Sequence, residues 1–132
     1  MATVLIVEDN PDNMKLATFL LQSAGYTVLA AADAEAGLTV ARDALPDLIL
    51  MDVQLPGMDG LAATALLKRD AATRDIPIIA VTALAMKGDE ERIRAAGCDG
   101  YIAKPLAYRA LLALISAHLV AAAARLKSRL AV

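Results

Sequence analysis

Glu8, Asp9, Asp52, Thr82 and Lys104 are the side chains whose chemistry would matter if they met. Three carboxylates at one place repel each other by a few kcal/mol unless a cation lies among them. A hard divalent ion resolves that conflict. Mg²⁺ takes octahedral oxygen ligands at about 2.0–2.1 Å and keeps several waters, and Mn²⁺ is an alternative. Asp9, Asp52 and a backbone carbonyl just past Asp52, that of Gln54, can supply the protein ligands, with Glu8 acting through a bound water. No His or Cys adjoins them in the sequence to suggest zinc. Beside such an ion, an Asp52 oxygen can attack an activated phosphorus and form an acyl phosphate. Phosphoryl transfer asks for in-line placement and neutralised charge more than for acid–base groups. Lys104 would share in the neutralisation, Thr82 would donate a hydrogen bond to a phosphoryl oxygen, and the small Ala83 leaves room for the donor. With the ion and Lys104 present, Asp52 is expected to be ionised at neutral pH.

Bringing these residues together requires a particular order of elements. Short apolar runs occur at 3–7, 27–32, 48–51, 76–81 and 100–103. Their brevity and β-branched content predict strands buried on both faces, as parallel strands are. Helical patterns lie between them. Asn10 caps a first helix that starts at Pro11 and ends at Gly25, and Asp33 caps a second that stops before Pro46. A third runs from about Gly60 to about Ala72. A fourth carries Asp89, Glu90 and Glu91 in its early turns, where negative charge suits the helix dipole, and closes at Gly97. A fifth follows Pro105. Five repeats of strand then helix predict a parallel α/β sheet with helices on both faces. Ligands of such a sheet sit beyond the carboxyl ends of the strands, near the switch in strand order. Four of the five predicted strand ends carry the residues named above. Any one of them alone reads as a solvated loop residue.

The 132 residues suit one domain. Residues 1–120 form the expected domain, and 121–132, with Arg125, Lys127 and Arg129 in an alanine-rich run, extend the fifth helix or form a tail. A net charge of -2 supplies no basic field for nucleic acid. Cys98 is the only cysteine and reads as a small half-buried residue in a reducing cytosol. The amino terminus has no basic n-region, and no apolar run approaches the ~20 residues needed to span a bilayer. These points predict a cytoplasmic protein without membrane contact. His118 reads as a plain surface or half-buried residue, and Phe19 and Tyr108 as packing residues.

The set Glu8-Asp9, Asp52, Thr82 and Lys104-Pro105 resembles the response-regulator receiver family, with the CheY-like, flavodoxin-type strand order 2-1-3-4-5. The likeness covers nearly the whole chain and includes the Leu55–Gly60 loop after Asp52. It implies a Mg²⁺-binding acidic pair at Glu8 and Asp9, a phosphorylated Asp52, supporting roles for Thr82 and Lys104, and a cis Lys104-Pro105 peptide. It also implies a switch in which Thr82 moves toward the phosphoryl group and an aromatic on the last strand turns inward. Tyr101 matches that aromatic, or is an ordinary half-buried tyrosine. Gln54 and Leu84, two residues beyond Asp52 and Thr82, match positions that tune phosphate lifetime, and the apolar Leu84 points to slow hydrolysis. More narrowly, the runs 7–10, 13–16 and 85–94 resemble single-domain regulators of the DivK type, which implies cell-cycle signalling.

The implied partners are a histidine kinase or histidine phosphotransfer protein and a downstream protein, with the receiver a monomer or a weak phosphorylation-dependent dimer. Asn13, Met14 and Leu106 are the candidate kinase contacts. Met14, Ala17 and Leu21 also recur at core spacing, and Met86 is a further candidate on the output face. The protein would be no enzyme beyond catalysing its own phosphorylation and dephosphorylation. A receiver excised from a hybrid kinase or multidomain regulator looks the same in sequence. An aspartate-nucleophile phosphatase of the haloacid dehalogenase class would show D-x-D after its first strand, whereas here Gln54 stands two beyond Asp52 and Asp52 follows the third strand. A nucleotide or flavin carrier would need glycines in the first loop, where the sequence reads Glu8-Asp9-Asn10-Pro11.

Overall fold

A computed structural model describes residues 2–83 and 87–130. Leu84 and Met86 therefore lie outside the described residues. The elements run β1 (Thr3–Val7), α1 (Pro11–Ser23), β2 (Thr27–Ala31), α2 (Ala34–Ala44), β3 (Leu48–Asp52), α3 (Gly60–Arg69), β4 (Ile78–Thr82), α4 (Lys87–Ala96), β5 (Gly100–Ala103) and α5 (Tyr108–Leu130). The strands form one parallel sheet in the order β2-β1-β3-β4-β5.

Side chains alternate across the sheet, so each strand feeds two cores. Val4, Ile6, Leu48, Leu50, Ile79 and Val81 face α1 and α5, where Ala17, Leu21, Leu111 and Ile115 complete the layer. Leu5, Val7, Ile49, Met51 and Ile78 face α2 and α3, with Leu38, Ala41, Ala63 and Leu67 opposite. Gly37 lets α2 lie against β1, because a Cβ there would come within 2.8 Å of a Val7 methyl. The fourth helix is held differently. Ile93 is its one fully buried hydrophobic side chain among the described residues, packed on Val53 and Ala80.

Helix starts follow the side-chain caps. Asn10 Oδ1 accepts from the Asp12 and Asn13 amides, Asp33 Oδ1 from Ala36, and Asp59 Oδ1 from Ala62. Away from the strand ends that carry the acidic residues, Lys68 Nζ donates to the Arg74 and Ile76 carbonyls and to Asp99, and Asp99 also accepts from the Ile78 amide. That one side chain ties the α3–β4 turn to the entry of β5.

Three expectations need correction. The two edge strands are not buried on both faces, since in β2 only the last residue, Ala31, is fully buried and in β5 none is. The third helix ends at Arg69 rather than near Ala72, because the Asp70 carboxylate takes the Ala72 amide into a local turn. The strand predicted from residue 76 begins at Ile78. The Ile76 amide bonds back to Thr73, and Pro77 has no amide to offer a ladder.

A fourth correction concerns α5. At 23 residues it is long and apolar enough to cross a membrane by length and composition alone. Ser116 and His118 interrupt the apolar pattern, yet no Asp, Glu, Lys or Arg occurs between Ala110 and Ala124. Leu111 and Ile115 bury its first half against the sheet. Beyond residue 122 every described residue is exposed, and Arg129 pairs with Asp75 at 2.9 Å. Phe19 and Tyr108 do not pack inside either, at 66% and 41% exposed.

The two halves of α5 should therefore respond differently to truncation. Ile115→Ala is expected to cost about 2–4 kcal/mol in urea unfolding. Arg129→Ala, which breaks an exposed pair, should leave the midpoint unchanged. Equal losses would mean that the second half of the helix carries stability of its own.

Candidate functional site

Strand register does most of the assembly. Val7 pairs with Met51, so Glu8 emerges beside Asp52 on the neighbouring strand. Asp52 pairs with Val81, and Thr82 with Ala103. All five positions thus reach the carboxyl edge of the sheet. The β1/β3 boundary is also where the chain switches direction across the sheet, which opens a crevice there.

Each member is fixed by its own local bonds. Lys104 is tethered through its amide to the Thr82 carbonyl at 2.8 Å, and the Lys104–Pro105 peptide is cis. Its ammonium then lies between two carboxylates, 2.8 Å from Glu8 Oε1 and 3.0 Å from Asp52 Oδ2. Glu8 Oε2 accepts from the Asn10 amide at 3.1 Å, so the residue capping α1 also steadies the acidic pair. Asp52 Oδ1 accepts from the Gln54 amide at 3.1 Å. Thr82 is buried at the end of β4. Asp9 is exposed, whereas Glu8 and Asp52 are only 7% and 4% exposed.

Carboxylate oxygens of Glu8, Asp9 and Asp52 all lie within 4.8 Å of one another. At that spacing two charges repel by roughly 3–4 kcal/mol at an effective dielectric of 20. Lys104 supplies a single positive charge against three negative ones. The donor set is all oxygen, with one member open to solvent, and this suits a hard divalent cation. The cluster could hold such a metal.

The charges shift one another. Burial, reinforced by Glu8, pushes the Asp52 carboxyl up to about 6, with Lys104 opposing. Burial also presses Glu8 upward, but hydrogen bonds involving Lys104, Asp52 and the Asn10 amide, together with the Lys104 charge, outweigh it and hold Glu8 below its ordinary value. Burial works against the Lys104 ammonium, and the two carboxylates more than offset that, so its pKa is raised. Without a metal, then, Asp52 is the carboxyl of the pair that takes the proton first, as the pH falls through about 6. The expectation of a fully ionised Asp52 assumed the ion.

The sequence-derived positions fall into three groups. Glu8, Asp9, Asp52 and Lys104 converge, with Thr82 and the Gln54 backbone on the same rim. Asn13, Leu106 and Lys104 border a cleft of about 80 Å³ between α1 and the β5–α5 loop whose inner end reaches Asp52. Leu16, half exposed, lines it too. The sequence pattern missed Leu16, although its position three residues past Asn13 puts it on the same helix face. Met14 instead packs partly against the core. Tyr101 stands apart on β5, 37% exposed. Cys98 is half-buried beside Thr64, and burial pushes its thiol up, which disfavours the thiolate. Two contributors had been read only as local punctuation. Asn10 supports Glu8, and Gly60 lies against the Asp52 main chain.

Comparison with known proteins matches this arrangement. The family model of the response regulator receiver domain aligns with residues 4–116. The polar-differentiation response regulator DivK of Brucella anthropi is 50% identical over 117 residues, 89% of this chain and 95% of that one. The receiver domain of a sensor histidine kinase from Pseudomonas aeruginosa, solved with a magnesium ion coordinated in its active-site cleft, superposes with a TM-score of 0.84 at 37% identity, over 89% of this chain and 97% of that one. The chemotaxis protein CheY4 of Vibrio cholerae gives 0.84 at 30% identity, over 88% and 97%. With the rim assembled and the likeness running from β1 into α5, this chain belongs to the response regulator receiver family.

Proposed function

We propose that this receiver is a phosphorylation switch in which Asp52 accepts a phosphoryl group from a phosphohistidine on a histidine kinase or histidine phosphotransfer protein. The observation that carries the reading is the buried Asp52 carboxylate held between Lys104 and the Gln54 amide, beside two further carboxylates. An Asp52 oxygen forms a bond to phosphorus as the phosphorus–nitrogen bond breaks, and the leaving imidazole takes up a proton. Mg²⁺, or Mn²⁺, held by Asp9, Asp52, the Gln54 carbonyl and, through water, Glu8, would supply charge neutralisation for the phosphoryl oxygens. Lys104 provides the second positive charge at the site, and Thr82 is the hydroxyl at its edge. Gln54 and Leu84 are the proposed determinants of phosphate lifetime. The chain acts on no other substrate in this reading.

Once formed, the acyl phosphate carries about -1.5 to -2 charges at the rim. That charge draws Thr82 toward it and Tyr101 inward, biasing a two-state element that a downstream protein reads. Asn13 and Leu106 line the cleft that leads to Asp52 and, with Met14 beside them in sequence and partly packed on the core, form the proposed donor-docking surface. Residues 1–120 form the proposed receiver unit, with the remainder of α5 as an appendage. The match over 95% of the length of the DivK relative supports signalling by protein contact, as a monomer or a weak phosphorylation-dependent dimer. It also makes a polar-differentiation or cell-cycle role the natural one to test. A donor charged from ATP puts the exchange in the cytoplasm. A receiver belonging to a larger kinase is the second reading, favoured by the 37% likeness to the sensor-kinase receiver.

Incubation with a small phosphoramidate or acetyl phosphate and Mg²⁺ should give a base-labile acyl phosphate on the wild type and none on Asp52→Asn. Excess chelator should abolish wild-type labelling. Persistent label on the variant would sink the assignment.

Acidity gives an independent check. Asp52 has a folded pKa of about 6 against an ordinary 3.8. Its favourable contribution to stability is therefore complete below about pH 4 and is lost as the pH rises through about 6. In chelator, Asp52→Asn should be more stable than wild type at about pH 8 by an amount on the order of 1–3 kcal/mol, with the gap closing toward pH 4. Thermal unfolding across that range reads the difference. A gap that widens on acidification contradicts the charge balance described above.

A further inference from the structure

Asp52 is oriented partly by a loop, and the loop has a pinned base. Residues 53–59 leave β3 and return to α3. The Gly60 amide donates to the Val53 carbonyl at 3.0 Å, closing the loop on itself, and the Val53 amide donates to the Val81 carbonyl at 3.0 Å, tying it to β4. Gln54, inside the closed segment, gives its amide to Asp52 Oδ1. Leu55 is buried in the α2/α3 core and anchors the outer part of the loop. The first residue of α3 therefore lies directly against the main chain of the residue proposed to be phosphorylated. A Cβ built on Gly60 would overlap the Asp52 carbonyl oxygen, with the Asp52 carbonyl carbon at 2.9 Å and Met51 Cγ at 3.0 Å. The oxygen belongs to the last residue of a central strand, which is paired with Val81 of β4 and follows Met51, paired with Val7 of β1. Any side chain at position 60 must push the loop and the start of α3 away from Asp52.

We propose that Gly60 is a positioning residue for the phosphoacceptor site. By letting α3 begin in contact with the Asp52 peptide, it holds the Gln54 backbone where its amide steadies Asp52 and its carbonyl can face the divalent ion. This inference rests on the reading of Asp52 and its ion given above. It differs from a packing role for Gly60, because the loop is tied at Val53 and Leu55 as well. Moving the α3 end of the closure shifts the Gln54 backbone while the two core layers stay in place.

The test is Gly60→Ala with Asp59→Ala as its control. Asp59→Ala removes the α3 cap, an Oδ1 to Ala62 amide bond of 2.8 Å, without adding atoms against Asp52. Both variants should melt earlier than wild type. Gly60→Ala, folded by circular dichroism, should bind Mg²⁺ roughly 10- to 100-fold more weakly by calorimetry, the loss typical of removing outer support from a metal ligand. It should also label more slowly at saturating Mg²⁺. Asp59→Ala should keep its Mg²⁺ affinity within about twofold of wild type, as a cap loss acts on helix stability. Wild-type Mg²⁺ affinity in folded Gly60→Ala overturns the proposal, as does equal weakening in both variants.

If Gly60→Ala does not fold, Mg²⁺ titration of wild type by amide NMR decides. The Gly60 and Val53 amides should shift along with those of Asp52 and Gln54, and a Gly60 amide that does not move overturns the proposal. Wild-type protein that neither binds Mg²⁺ nor takes label would instead remove the reading of Asp52 on which the proposal stands.

Discussion

The ammonium of Lys104 between Glu8 and Asp52 is the contact on which the rest of the site depends. Two of the three clustered carboxylates are nearly sealed from water, and an unpaired buried charge costs several kcal/mol. Lys104 offsets part of that cost, and it can reach both acids only because its amide is hooked to Thr82 at the end of β4. The ion cluster therefore measures the relative placement of β1, β3 and the segment after β5 at once. A slip of one residue in the β1–β3 register would turn Glu8 to the opposite face of the sheet and leave Lys104 with one partner. The alternation of Val4, Ile6, Leu48 and Leu50 against α1 and α5 fixes that register by burial. The chemistry at the rim is thus held by the apolar pattern beneath it.

This dependence explains what could be read from the sequence. Strand order, the caps at Asn10 and Asp33 and the convergence of Glu8, Asp9, Asp52 and Lys104 follow from period, punctuation and the rule about strand ends, all of which are local or topological. Properties that arise between elements were not legible. The proton shared out toward Asp52 reflects burial next to Glu8, which no spacing encodes. Gly60 read as the start of a helix, and its approach to the Asp52 carbonyl exists only once α3 is docked. The exposure of β2 follows from its edge position, which its own run of Thr27–Ala31 does not encode. Phe19 was misjudged because α1 has apolar residues beyond those its buried face can absorb.

The two ends of the sheet are stabilised by different means. At one, Lys68 satisfies two carbonyls of the α3–β4 turn and pairs with Asp99, which also takes the Ile78 amide, so its partners are fixed parts of the fold. At the other, the bonds run between charged groups that a ligand can redistribute. α4 adjoins this second end with a single buried peg, Ile93, set against Val53, the residue next to Asp52. Among the described residues its ion pairs, Asp89–Arg92 and Glu90–Arg94, lie within the helix at the surface and are worth little. An element attached through one buried side chain that touches the neighbour of Asp52 is one whose docking a small movement of the loop after β3 can alter.

The raised Asp52 pKa bears on the order of events at the rim. A carboxyl near 6 is mostly ionised at neutral pH but holds its proton more readily than any exposed aspartate would. Glu8 stays charged and keeps the Lys104 ammonium close. A divalent cation held beside Asp9 would add positive charge where Lys104 alone is insufficient. The Asp52 pKa would then fall, by the same linkage that makes metal affinity drop on acidification. Binding of a cation and ionisation of Asp52 would in this way be one equilibrium. The site need not choose between a low-cost empty state and a reactive loaded one, because burial disfavours the charged carboxylate only until the charge that compensates it arrives.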